Sequence, residues 1–173
     1  MGVPLEGFGD KVRETAAEGM VLLKNEKQMF PLTKEDHVAI FGRCQINYYK
    51  SGTGSGGAVH TAYTTNLVEG LRRYKEISLN EELVQIYENW VKENPFDDGG
   101  GVWAGEPWYQ KEMPVSEEMA RKAGETSNKA IVVIGRTAGE DQDNAPVEGS
   151  YLLTKEERQL IETVAGCFEK TAV

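Results

Sequence analysis

The 173 residues include 19 lysines and arginines against 28 aspartates and glutamates, a net charge of -9, with 39% apolar and 27% charged residues. A chain of this size and balance buries a core of its own, which excludes intrinsic disorder and a disulfide-stapled miniprotein, and its acidity argues against a nucleic-acid-binding face. No apolar run approaches the ~20 residues of a membrane span; Met1–Glu6 lacks the basic and apolar regions of a secretion signal, and Cys44 and Cys167 read as free thiols, so a cytoplasmic protein is the expectation.

Residues 1–9 read as a loose N-terminal arm, and residues 10–173 as one domain. From an Asp10 cap, Val12, Ala16, Met20 and Leu23 recur near the helical period and predict a helix ending near Asn25. Val38–Phe41 and Ala130–Ile134 are short, wholly apolar, mostly β-branched runs, each ending at a glycine. Such runs suit strands buried on both faces of a parallel sheet. Helices are predicted at Asn66–Tyr74, over Leu83, Ile86, Tyr87, Trp90 and Val91, and from Ser116 to about Asn128. A last helix opens at Thr154, with Glu157 in capping-box position, and Glu76–Leu79 reads as a short strand. The β/α alternation predicts a three-layer α/β/α sandwich with a largely parallel sheet. The chain reaches Thr171–Val173 where a further buried strand should begin, so it is expected to be part of something longer, short of its last strands.

Two irregular, glycine-bearing stretches stand out, Lys50–Gly57 and Pro95–Pro114. Gly52–Gly57 fits G-x-G-x-x-G, but it follows the Val38 run at a distance and Ala58–Tyr63 is no helix start, so a dinucleotide site is disfavoured against a site rim or plain loop. His37, His60, Cys44 and Cys167 have no zinc spacing, and Ser55 lacks the G-x-S-x-G context of a nucleophile; no metal or cofactor is expected. Gly135–Leu152 leaves the carboxyl end of a predicted strand carrying Glu140, Asp141, Asp143 and Glu148. Ligands bind there in open α/β sheets, although spacing alone favours a solvated acidic loop.

Glu18–Asn25, followed by Phe30-Pro31-Leu32, resembles the E-x-x-V-L-L-K-N and L-P-L opening of the α/β-sandwich domain of glycoside hydrolase family 3, the β-glucosidases. The Val38–Gly42 run, the Gly52–Gly57 loop, Asn66–Leu71, the Val132–Glu140 segment and Gly149–Thr154 resemble the family's further segments in the right order. The resemblance implies a flavodoxin-like sandwich from a retaining β-glucosidase, acting on a β-glucoside or related saccharide. It makes Glu140 the match of the general acid/base. The nucleophilic Asp belongs to a separate (β/α)8 barrel domain, so the isolated chain is expected to be inactive and its Glu140 to titrate as an ordinary exposed glutamate. Asp141 and Asn144 depart from the family's common Gly and Arg, which keeps Asp141 and Asp143 as rivals for the acid. Lys50, Ser55, His60, Asp143 and Trp103 are the candidate substrate-binding residues. Trp103, Trp108 and Tyr109 either stack on a sugar or, the favoured reading, pack on the barrel. Homo-oligomerisation stays open. A non-catalytic carbohydrate-binding or assembly module and a flavodoxin-like nucleotide binder are the alternative readings.

Overall fold

The computed structural model describes Val3, residues 5–49 and residues 51–173. In chain order its elements are α1 (Phe8–Glu18), β1 (His37–Phe41), α2 (Leu67–Arg73), β2 (Ser78–Leu79), α3 (Glu81–Glu93), α4 (Glu117–Thr126), β3 (Lys129–Val132), α5 (Lys155–Cys167) and β4 (Thr171–Ala172). The strands form one parallel sheet in the order β2-β1-β3-β4, with Ala39 opposite Ala130 and Phe41 opposite Val132.

Strand alternation sends the side chains of β1 to two faces. Ala39 and Phe41 join Leu83, Tyr87, Ala120, Leu160 and Val164 under α3, α4 and α5, while Val38 and Ile40 join Val68 and Ile77 under α2. β1 lies centrally and is completely sealed from Val38 to Phe41, which is why this stretch reads as an unbroken apolar run. From β1 the chain crosses by α2 to one side, and from β3 it crosses by α5 to the other. The sheet therefore has a topological switch point between the carboxyl ends of β1 and β3. Gly42 makes the crossing feasible: its φ is 92°, and an added Cβ would stand 2.3 Å from the Val133 carbonyl oxygen.

The predicted capping box forms in full, Thr154 with Glu157, and Asn66 and Ser116, the predicted helix starts, cap their helices by accepting from Glu69 N and Met119 N. Asn80 caps α3 in the same way. The first helix differs from expectation. It begins at Phe8, inside the predicted arm, with Gly7 rather than Asp10 as its cap, and stops at Glu18, so that Met20–Leu23 lie in irregular backbone. Every residue of α1 is exposed, and Leu23 is 92% exposed. An apolar seam extends a helix only where it packs on a surface, and no such surface faces this one among the described residues. Asn25 acts within its own segment, its side chain clasping both the carbonyl and the N–H of Phe30, at 2.9 and 3.0 Å. Lys129 then ties this segment to the sheet, donating to Met29 O (2.7 Å) and Asp36 Oδ2 (2.9 Å).

The long Pro95–Pro114 stretch is anchored by a buried cation. Arg43, 1% exposed, donates to the carbonyls of Asn94 and Lys111, one at each end of the stretch, and its guanidinium lies 5.2 Å from the Trp90 ring. Glu112, 8% exposed, accepts from Arg43 N at 3.0 Å and Met113 N at 2.7 Å. Burial pushes the Glu112 carboxyl up to about 7 in spite of these hydrogen bonds. The folded chain therefore keeps this proton to higher pH than the unfolded chain, and stability falls as pH rises from the ordinary glutamate value of ~4.3 toward 7. Glu112→Gln, which keeps an acceptor for both N–H groups, is expected to remove roughly 3 kcal/mol of that decline. Urea denaturation of both proteins between pH 4.5 and 8 checks this.

Candidate active site

At the switch point the loop after β3 folds back onto the loop after β1. Gly139 bridges Thr53 as an isolated parallel pair, Thr53 N donates to Ala138 O at 3.3 Å, and the Thr53 hydroxyl donates to Glu140 O at 3.3 Å. Gly139 and Gln142 exchange both backbone hydrogen bonds, 3.2 and 3.1 Å, which closes a tight turn with Glu140 and Asp141 at its tip. Asp141 adopts the left-handed conformation there, at φ 61°.

Glu140 is exposed, and its Oε2 accepts from Ser55 N at 2.9 Å. The hydroxyl and backbone N–H of Ser55 both favour the ionised carboxylate and hold it below the usual glutamate value. This corrects the expectation of an ordinary titration. Gly54 makes the approach feasible. Its φ is +70°, and a Cβ there would lie 2.5 Å from Glu140 Cβ. Gly52–Gly57 is thus a cradle for the Glu140 turn. Its Gly54–Gly56 segment is a 3-10 turn well ahead of α2, not the start of a phosphate-binding helix.

Gly54→Ala is expected to cost about 1–2 kcal/mol in backbone strain and to push Glu140 off Ser55. In a pH titration followed by amide NMR, Ser55 N–H should report the low Glu140 midpoint. In the variant the midpoint should return to ~4.3 and the Ser55 response should vanish. Gly56→Ala serves as the control, since a Cβ at Gly56 meets nothing within 4 Å.

Beside this turn opens a cleft of about 580 Å³, with Thr53, Tyr48, Tyr49, Phe96, Asp98 and Trp103 in its wall. Aromatic faces with a few polar groups suit a sugar ring. Of the sequence candidates, the structure brings together Glu140, Ser55 and Trp103. His60 and Asp143 are exposed and stand outside both the cleft wall and the Glu140 contacts among the described residues. Lys50 lies outside the described residues. The aromatic trio separates as well. Trp103 lines the cleft, while Tyr109 packs on Gly149 of the chain's own acidic loop with the Arg136 guanidinium 6.0 Å from its ring centre. Trp108 is half-buried, and its carbonyl accepts from Thr137 N.

Two contacts escape sequence reasoning. Asp141 and Trp103, both sequence candidates, meet each other: Asp141 accepts from the Trp103 indole N–H at 2.8 Å, a contact between loops 38 residues apart. Arg136 reaches across its own loop to Ser150 O and to both Glu157 oxygens. Glu157 carries a sequence signal for the helix start, its capping-box position, but none for the pairing with Arg136.

The family model for the glycosyl hydrolase family 3 C-terminal domain matches residues 20–173. A β-glucosidase from Ruminococcus albus is 46% identical over 164 residues, 95% of this chain and 17% of that protein. A β-glucosidase from Paenibacillus barengoltzii superposes with a TM-score of 0.96 at 57% identity, over 99% of this chain and 18% of that one. β-Glucosidase 3B from Thermotoga neapolitana, solved in complex with α-D-glucose, gives 0.81 at 32% identity, over 95% of this chain and 23% of that one. The chain thus spans less than a quarter of the length of each of these relatives.

Proposed function

Because the chain belongs to glycosyl hydrolase family 3, within whose C-terminal domain it falls, we propose that it supplies the general acid/base of a retaining β-glycosidase, with Glu140 as the proton donor. The observation that carries this reading is the position of Glu140: exposed at the switch point, on a turn gripped by Ser55 and Thr53, with Thr53 and Gly54 also lining an aromatic cleft. Retention needs two carboxyl groups ~5 Å apart, one to protonate the leaving oxygen and one to attack. In this reading Glu140 supplies the first. The nucleophile comes from the barrel domain implied by the family resemblance.

The low titration of Glu140 in this chain fits that division. A carboxyl held in its ionised form by Ser55 is a poor acid at neutral pH. A second carboxylate brought close disfavours ionisation of the first and raises it into the working range. Without that second carboxylate the chain alone is inactive. The substrate is a terminal β-linked glucoside or a related sugar, seated in the cleft beside Trp103. Glu140→Gln in the full-length enzyme, compared on poor and activated leaving groups, tests the assignment.

A further inference from the structure

We infer that Trp103 is a positioning residue for the proton donor, acting through Asp141, so that the cleft wall and the acid turn move as one unit. The inference rests on the Glu140 reading above and extends it to a residue on a different loop.

Two turn tips meet here. Glu140 and Asp141 occupy the tip of the turn closed by Gly139 and Gln142. Trp103 and Ala104 occupy the tip of a second turn, closed by Gly105 N donating to Val102 O at 3.0 Å. Ala104 is left-handed at φ 50°, as Asp141 is at φ 61°. The indole N–H of Trp103 bonds Asp141 Oδ2 at 2.8 Å.

The acid turn is thereby held on two sides, Glu140 by the Ser55 N–H and Asp141 by the Trp103 indole. Two adjacent residues at the tip of a two-residue turn share one backbone orientation. Releasing Asp141 frees the turn to pivot about Gly139, and the Glu140 carboxylate swings with it. Trp103 is also 55% exposed and forms part of the cleft wall. A sugar stacking on its ring fixes the indole, and the indole fixes the turn that carries the acid.

The test is a set of variants of the full-length enzyme, assayed on an alkyl β-glucoside, which needs protonation to leave, and on an activated aryl β-glucoside, which does not. Trp103→Phe keeps an aromatic face, smaller than the indole, and removes the N–H. Asp141→Ala removes the acceptor, and Asp141→Asn retains one. Trp103→Phe and Asp141→Ala are each expected to lower alkyl-glucoside kcat/KM, which reports the acid-assisted first cleavage, by about tenfold, and aryl-glucoside kcat/KM by less than about twofold. The double variant should be no worse than the poorer single one, and Asp141→Asn should recover most of the rate.

Equal losses on both substrates with a raised KM would make Trp103 a sugar platform only and overturn the inference. Additive losses in the double variant, or unchanged rates, would overturn it too. Glu140→Gln run alongside separates the two levels. If it shows the leaving-group signature and Trp103→Phe does not, the positioning role fails alone; if it shows none, the proton-donor reading fails and takes this inference with it.

Discussion

Glu140→Gln in the full-length enzyme is expected to slow hydrolysis of alkyl β-glucosides by about 10²–10⁴-fold, the usual worth of a positioned general acid. Gln preserves the shape and still accepts from Ser55 N–H, so the turn keeps its place while the transferable proton is lost. An activated aryl leaving group departs as a stable anion and needs little protonation, so its first bond cleavage should change far less. Parallel kcat/KM values on the two substrate classes check this, since kcat/KM reports the first cleavage, and equal losses in kcat/KM would mean that Glu140 acts by positioning or binding. The pH behaviour carries a second expectation. In the isolated chain, hydrogen bonding by Ser55 holds Glu140 below the ordinary glutamate value. In the full-length enzyme the neighbouring nucleophile must reverse that sign, because two carboxylates at close range cannot both ionise freely. The Glu140 midpoint should therefore be higher in the whole enzyme than in this chain. An equal or lower midpoint would leave the acid without a source for its proton at working pH.

The scaffold is largely legible in the sequence, and the coupling between loops is not. Val38–Phe41 announces itself because a strand sealed on both faces favours an unbroken apolar run, and Ala130–Ile134 does so although Ile131, Val133 and Ile134 are only partly buried. The Thr154–Glu157 capping box does so because it is a contact over three residues. The first helix stops short of its apolar seam because helical spacing alone does not reveal whether a seam has anything to pack against, and Leu22 and Leu23 remain exposed. Arg43 looks like a surface cation in the sequence. Its burial depends on carbonyls of Asn94 and Lys111, about fifty and seventy positions away, whose arrival no local pattern encodes. The glycine loop reads as a site rim, but its physical reason is hidden: Gly54 is small because Glu140, from the other loop, occupies the space a side chain would take. The order of the family-like motifs locates Glu140, while the Ser55 and Trp103–Asp141 contacts that aim its turn join distant segments and emerge only in three dimensions.

Arg136→Met is expected to destabilise the chain by about 3–5 kcal/mol, through the buried carboxylate it leaves behind. Arg136 Nη1 and Nη2 meet Glu157 Oε1 and Oε2 at 2.5 Å each, and Arg136 Nε donates to Ser150 O at 2.8 Å. The Glu157 side chain is only 5% exposed and also accepts from Thr154 N at 2.8 Å, as the far half of the α5 capping box. The acidic loop therefore leaves β3 and returns to α5 through a single clamp, with Glu157 serving both the helix start and the loop closure. Removing the guanidinium strands the Glu157 carboxyl group, poorly hydrated and supported mainly by backbone. Thermal denaturation should show a fall of about 10 °C, given the 2–4 °C per kcal/mol typical of this size. Adding Glu157→Gln to Arg136→Met should restore part of the loss, because the second change removes the stranded charge while the amide still accepts from Thr154 N. A cost below about 1 kcal/mol for Arg136→Met would place the pair in the class of solvent-screened surface bridges. The Glu140 turn would then be held by its Ser55, Thr53 and Trp103 contacts, without support from the base of its own loop.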